Sequence, residues 1–159
     1  MMHASKSAKK ANPSDAISLS DALSAGKTIL IMDGDCALCS RVARTIARRD
    51  VGDQFRILPA QTGLACQIMR ENGIDPDDPE SWLYWRSDEV LTGASAVIAV
   101  SKSLGFPLSW AATLGQACPG PMRESVYRFV ARNRISWFGR GDLCALPDPE
   151  LKRRIIQDS

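Results

Sequence analysis

The sequence predicts an α/β fold of three layers, in which helices cover both faces of a central mixed sheet. Short apolar runs of strand length, stretches with apolar residues at helical spacing, and a late hairpin pattern lead to this fold class. In chain order the elements are β-α-β-α-β-β-α, and the last two strands are expected to pair antiparallel. The length of 159 residues suits one domain, and 45% hydrophobic residues can supply its core.

Three segments are distinguished along the chain. Residues 16–147 are predicted to form the domain. Residues 1–15 are polar and rich in Lys, Ser and Ala, which predicts a disordered N-terminal tail. Residues 148–159 are predicted to be a C-terminal extension.

The first strand and the first long helix flank a short turn. Residues 28–32 (TILIM) form an apolar run with three β-branched residues, bounded by glycines, which is typical of a buried strand. Residues 40–49 repeat at helical spacing, and Asp35 ahead of them is predicted to be the N-cap. Cys36 and Cys39 should therefore lie in the first turn of this helix, with Cys36 foremost.

The remaining elements are assigned from periodicity and from breaker residues. In chain order they are a short helix or turn from residue 16, a strand over 55–58, a helix over 63–72, a hairpin with strands over 81–85 and 89–92, a helix over 94–104, a mixture of short helix and loops over 106–121, and a helix over 122–133.

The position of the two cysteines has a chemical consequence. A thiolate is the nucleophile in disulfide chemistry, and a free cysteine with a pKa of about 8.5 is mostly protonated at neutral pH. At a helix N-terminus the unpaired amides and the helix dipole lower that pKa to roughly 3.5–7.5. Cys36 is thus expected to be the more acidic and more exposed thiol, which attacks. Cys39 is expected to resolve, because a two-residue gap lets it close a small disulfide.

The cysteine motif resembles that of a known family. It reads Asp33-Gly34-Asp35-Cys36-Ala37-Leu38-Cys39, and it is followed by a block over 127–134 (YRFVARNR), then Trp137-Phe138-Gly139 and a later Cys144. These features resemble the DCC family of thiol-disulfide oxidoreductases, also called domain-of-unknown-function family 393. The likeness spans residues 28–144. It implies a thioredoxin-like fold and exchange with a protein or small-molecule thiol or disulfide, in which the dithiol carries the electrons without a bound cofactor or metal.

Several residues near this motif have more than one interpretation. Asp33 either ends a strand as a turn carboxylate or accepts the proton of the second thiol. Cys144 is a candidate third thiol that resolves or relays. Pro79 is the nearest candidate for the cis proline that thioredoxins place beside their dithiol. The arginines are predicted to form a solvated helix face, or in part to stabilise a thiolate or an acidic partner; they are Arg123, Arg128, Arg132 and Arg134.

Two other classes of function compete for the same stretch. An apolar strand followed by D-x-D resembles the first motif of haloacid-dehalogenase-like phosphatases, with Asp33 as nucleophile, Asp35 as acid/base and Mg²⁺ between them. The acidic pair that this chemistry needs after a strand is missing, because Asp77 and Asp78 fall in a loop. The other alternative is a non-catalytic thioredoxin-like module that binds a partner. Zinc binding lacks ligands, since the chain has no second CxxC and its one histidine is His3.

Composition excludes further classes. A formal charge of +2 from 20 basic and 18 acidic residues is too balanced to indicate nucleic-acid binding. No run approaches the ~20 apolar residues of a membrane span. The first residues lack the apolar segment of a secretory signal. Five cysteines, an odd number, indicate a redox pair in a reducing compartment, so a cytoplasmic location is predicted.

Overall fold

The computed structural model describes residues 18–78 and 82–157 of the chain. Within these residues seven helices and four strands follow one another: α1 (Leu19–Ser24), β1 (Thr28–Met32), α2 (Ala37–Arg49), β2 (Phe55–Pro59), α3 (Gly63–Glu71), β3 (Leu83–Arg86), β4 (Glu89–Thr92), α4 (Gly93–Ser103), α5 (Leu108–Ala117), α6 (Gly120–Phe138) and α7 (Pro149–Lys152).

The four strands form one mixed sheet in the order β2-β1-β3-β4. β1 pairs parallel with β2 and antiparallel with β3, and β3 pairs antiparallel with β4. Ser87 and Asp88 make the tight turn of the β3–β4 hairpin, with Ser87 at a φ of 50°. The mixed sheet and the hairpin confirm the predicted thioredoxin-like α/β fold.

Helices cover both faces of the sheet because the side chains of β1 alternate between two cores. All five residues of β1 are buried. Leu30 and Met32 face a core that also holds buried residues of α2 and α4. Ile29 and Ile31 face a second core that is closed by α3 and by Ala22 of α1. The three-layer arrangement therefore follows from the period-two pattern of one central strand.

Two helix starts differ from the sequence prediction. α2 begins at Ala37, and its N-cap is Cys36 rather than Asp35. The Asp35 prediction is wrong because the sulfur of Cys36 accepts from the Cys39 amide, while the backbone carbonyl of Asp35 accepts from Gly141. α6 begins at Gly120, with proline in its first turn, and it also ends later than predicted, at Phe138 rather than at residue 133.

The predicted C-terminal extension packs on the domain. Leu151 and Ile155 join the core on the α2 side of the sheet, and Ile156 joins the other. Ile57 of β2 donates its amide to Arg154 O (2.7 Å) and accepts at its carbonyl from Ile156 N (2.8 Å). The last described residues thus add a short parallel bridge along the outer edge of β2.

Two predictions fall on residues that the structure does not describe, namely the tail over 1–15 and the cis state of Pro79. In the described part, a cis peptide bond joins Phe106 and Pro107 between α4 and α5. None of the described helices combines the length and the apolar character that crossing a membrane requires.

Candidate active site

One glutamine side chain holds the turn that follows β1. Gln61 donates from Nε2 to Asp33 Oδ1 (2.6 Å) and accepts at Oε1 from the Gly34 amide (2.9 Å). Asp33 Oδ1 also accepts from the Asp35 amide at 2.9 Å. A Cβ on Gly34 would lie 2.9 Å from Gln61 Oε1, so any side chain there would displace the bridging amide. These hydrogen bonds therefore hold the conformation of residues 33–35, directly ahead of α2.

Cys36 and Cys39 meet at the start of α2. Cys36 has extended backbone angles (φ −102°, ψ 123°), and its Sγ accepts from the Cys39 amide at 3.4 Å. Burial, the charge of Cys36 and a hydrogen bond to its sulfur raise the pKa of Cys39 to about 12, although the charge of Arg134 opposes this shift. Cys39 is consequently a protonated thiol at neutral pH, which donates toward Cys36.

A returning segment over 139–143 covers the dithiol turn. It is held by three backbone hydrogen bonds: Gly141 N to Asp35 O (2.9 Å), Leu143 N to Gly34 O (2.9 Å) and Ala37 N to Gly139 O (3.2 Å). Cys36 and Arg140 also form an isolated antiparallel bridge. Under this cover Cys36 is 0% exposed, whereas Cys39 is 6% exposed. The prediction that Cys36 is the more exposed thiol is therefore wrong.

A partly buried ion pair lies beside the dithiol. Arg134 of α6 donates from Nη2 to Asp33 Oδ2 at 2.6 Å and from Nη1 to Ala131 O at 3.1 Å. Burial raises the pKa of Asp33, but the hydrogen bonds from Arg134, Asp35 and Gln61 outweigh it, so that the pKa lies below its usual range. Burial lowers the pKa of Arg134, while Asp33 and the two sulfurs more than offset this effect.

The sequence prediction missed this pair. Arg128 and Arg132 are exposed, as expected of a solvated helix face. Arg134 is only 8% exposed, and its charge lowers the pKa of Cys39, which fits the alternative that one of these arginines stabilises a thiolate. Arg134 is separated from Asp33 by 101 positions. Its place in the YRFVARNR block was the available signal, because that block accompanies the cysteine motif in the family that the sequence resembles.

A mostly apolar cavity of about 260 Å³ opens beside Cys39. Its aliphatic lining comes from α2, α4 and α6, and includes Leu38, Val42, Val97, Val126 and Val130. The rest of the lining comprises Trp82, Tyr127, Ala131 and Arg134. Of the two thiols, it is Cys39 that lines this cavity. A molecule that enters it meets the dithiol from the Cys39 side.

Comparison with known proteins identifies the family of this chain. A model of the DCC1-like thiol-disulfide oxidoreductase family matches residues 30–140, a range that holds both cysteines, Asp33 and Arg134. The chain belongs to this family. The DCC1-like chain is 32% identical over 129 residues to the uncharacterized protein YuxK of Bacillus subtilis, covering 80% of this chain and 93% of YuxK. It is 28% identical over 120 residues to a chloroplastic DCC family protein of Arabidopsis thaliana, covering 76% of this chain and 70% of that protein. No solved structure matches the chain significantly.

The other cysteines of this DCC1-like protein lie elsewhere. Cys144 is exposed and lines a different cavity, with Pro59 and Lys152. Burial and the charges of Asp142 and Asp35 raise the pKa of Cys144. Its role as a third thiol stays a prediction. Cys66 is half-buried and Cys118 is exposed, and both remain outside the dithiol turn.

Family membership favours the dithiol interpretation over the phosphatase interpretation of Asp33 and Asp35. The carboxylate of Asp33 is already engaged by Arg134, Gln61 and the Asp35 amide. Among the described residues, no three or more His, Cys, Asp or Glu side chains gather in a way that could hold a metal ion.

Gly141→Ala is expected to expose Cys36. A Cβ at this position would lie 2.8 Å from Ala37 Cα and 3.0 Å from Ala37 N, which are backbone atoms of the helix start. Such overpacking costs about 1–3 kcal/mol, and displacement of the 139–143 segment relieves it. Alkylation of Cys36, followed by peptide mass mapping, should become about tenfold faster. Gly115→Ala is the matched control, since a Cβ there meets nothing within 4 Å. Unchanged alkylation of Cys36 would show that this segment does not limit access.

Proposed function

We propose that this protein catalyses thiol–disulfide exchange, with Cys36 as the attacking sulfur and Cys39 as the resolving one. The observation that carries the proposal is the hydrogen bonding at the helix start, where Cys36 Sγ accepts from the Cys39 amide and the raised pKa of Cys39 keeps its thiol protonated. Cys36 Sγ also lies at the start of α2, where the positive end of the helix dipole favours a thiolate nucleophile. Membership of the DCC1-like family supports the same reaction class.

In the reducing direction, the Cys36 thiolate attacks one sulfur of a substrate disulfide and forms a mixed disulfide. The other substrate sulfur leaves as a thiolate and takes up a proton. Cys39 then loses its proton, and its thiolate attacks the Cys36 sulfur. The Cys36–Cys39 disulfide forms, and the second substrate sulfur leaves as a thiol. Two electrons pass from the dithiol to the substrate, and the reverse steps oxidise a substrate dithiol without a bound cofactor.

Asp33 is proposed to assist when Cys39 loses its proton. Its charge raises the pKa of Cys39, and that of Arg134 lowers it. The described hydrogen bonds of Asp33 go to Arg134, Gln61 and the Asp35 amide, so a proton from Cys39 would reach it through an intervening water.

Cys39→Ser is expected to trap a mixed disulfide at Cys36, because no second sulfur can release it. Cys36→Ser is expected to trap none, since the remaining thiol has a pKa raised by burial. Non-reducing mass spectrometry after exposure to a disulfide substrate measures both. Equal trapping by the two variants would contradict the assigned roles. Absence of exchange in the wild type, with a cellular role that survives substitution of both cysteines, would favour the non-catalytic interaction module.

Asp35→Asn with a chelator is the control against phosphoryl transfer. Asp35 contributes its backbone to the turn and does not cap α2, so disulfide reduction should persist in this variant and with the chelator. Chelator-sensitive hydrolysis of a phosphate ester that survives Cys36→Ser would overturn the proposal. A redox titration then indicates the direction of electron flow. A midpoint potential of about −270 mV indicates a reductase, and one of about −120 mV indicates an oxidant.

A further inference from the structure

The cavity beside Cys39 is of a size that suits one amino-acid side chain. Its volume of about 260 Å³ lies below the ≈ 300–1,000 Å³ of pockets that hold whole organic ligands. Leu38, Val42, Val97 and Val130 make its walls aliphatic, and Arg134 is already paired with Asp33. A charged group entering here would lose its hydration with little compensation, whereas an apolar side chain would gain.

An exposed apolar stripe on α6 continues outward from this cavity. It consists of Met122, Val126, Phe129 and Trp137, which are each between 52% and 60% exposed and recur at helical spacing. The rings of Phe129 and Trp137 pack edge to face, with centroids 5.3 Å apart. Val126 also lines the cavity, so the α6 stripe and the cavity form one surface. Contiguous exposed apolar surface of this kind marks sites of interaction.

The chemistry of exchange places a substrate on this surface. A substrate sulfur that bonds to the dithiol brings the residues on either side of it within roughly 3.3–3.8 Å per position of an extended chain. Cys36 Sγ, the sulfur that forms the mixed disulfide, lies 3.4 Å from the amide of Cys39, and Cys39 lines the cavity. The neighbours of the substrate cysteine therefore come within reach of the walls next to Cys39. Resting on the function proposed above, we propose that the substrate is a polypeptide disulfide whose cysteine is flanked by apolar residues. One flanking side chain occupies the cavity, and the next ones lie along the α6 stripe.

Two other molecules could occupy the cavity or the α6 stripe, and each differs from a polypeptide disulfide. Glutathione and similar small thiols carry charged groups next to their sulfur and offer no apolar side chain to the cavity. A second copy of the chain could cover the α6 stripe, but it would bury the cavity and bring no substrate disulfide to the dithiol. Both alternatives predict a different outcome in the same experiment.

The test uses three mixed disulfides of one chromophoric thiol: a peptide with Phe beside its cysteine, the same peptide with Ser at that position, and glutathione. We expect kcat/KM to be about tenfold or more higher for the Phe peptide, which is the range that an apolar pocket supplies. Val126→Asp should reduce this preference to near unity, and the uncharged Val126→Thr should reduce it in part. Val51→Asp is the matched control, because Val51 is 97% exposed in the turn after α2 and should leave the preference unchanged.

Each outcome is decisive. Equal rates for the three disulfides, or a preference for glutathione, would overturn the inference and leave the exchange function intact. A preference for the Phe peptide that Val126→Asp does not alter would also overturn it. Sedimentation of the wild type as a dimer that Val126→Asp dissociates would assign the stripe to a second copy. Failure of the reduced dithiol to react with any of the three would instead count against the exchange function.

Discussion

Arg154→Ala is expected to lower the free energy of unfolding by about 3–5 kcal/mol, the cost of breaking a buried ion pair. Arg154 donates from Nη1 to Asp50 Oδ2 (2.9 Å) and Asp53 Oδ1 (2.5 Å), and from Nη2 to Asp50 O (3.1 Å). The Asp50 side chain is 0% exposed. It would keep its hydrogen bonds from the amides of Gln54 and Phe55 but lose the buried charge that compensates it. Urea denaturation measures the change.

The neighbouring arginine supplies the control for this experiment. Arg153 has a side chain that is 63% exposed and pairs with Glu150 on the surface. Exposed pairs of this kind contribute about 0–1 kcal/mol, so Arg153→Ala should leave the unfolding midpoint nearly unchanged. Equal losses in the two variants would mean that the C-terminal segment is stabilised by something other than the Arg154 contacts.

Acid should weaken the ion-pair network that Arg154 forms with Asp50 and Asp53. A hydrogen bond from Arg56 and another from Lys27 hold the pKa of Asp53 well below its usual range, against the effect of burial. Because this pKa is lower in the folded state than in the unfolded chain, the stability that Asp53 contributes is complete above the ordinary carboxyl pKa. It is lost as the pH falls through the folded value. The contribution is modest, since the side chain of Asp53 is 52% exposed.

The sequence was informative where structure depends on local pattern. β1 has the predicted bounds, because a short apolar run with β-branched residues fits a strand that is buried on both faces. The hairpin of β3 and β4 was also recognised, although β3 extends to Arg86 and leaves a turn one residue shorter than the predicted interval between the strands. The helix over 122–133 was recognised but cut short at both ends. Its start was misplaced because Gly120 and Pro121 resemble a breaker, although proline is favoured in a first helical turn.

The sequence was uninformative where the site depends on segments far apart in the chain. The exposure of Cys36 was mispredicted because residues 139–143 return to cover it. That return begins at Gly139, which ends α6 with a φ of 81°, a left-handed conformation that favours glycine. The N-cap was misassigned because Asp35 is a good capping residue by type, whereas the returning segment engages its backbone. The secondary-structure propensity of residues near the motif carries no information about these contacts with residues 139–143.

The Asp33–Arg134 pair is expected to affect both the stability of the fold and the reactivity of the dithiol. Arg134→Gln is expected to lower the free energy of unfolding by about 2–4 kcal/mol at neutral pH, because it leaves the partly buried carboxylate of Asp33 without its cation. The pKa of Asp33 is depressed in the wild type, so the stability from the pair is complete above the ordinary carboxyl pKa and is lost as the pH falls through the folded value. The difference between wild type and variant should therefore shrink in acid.

The decisive test of this pair is the pKa of Cys39, because the two charges act on it in opposite directions. Asp33 raises this pKa and Arg134 lowers it. Asp33→Asn should therefore lower the pKa of Cys39, Arg134→Gln should raise it, and the double variant should lie between them. Thiolate absorbance and the rate of alkylation of Cys39 against pH, both in a Cys36→Ser background, measure the three values. A pair that only stabilises the fold would destabilise the protein in both single variants without moving this pKa in opposite directions. Opposite shifts would establish that α6 tunes the dithiol through Arg134.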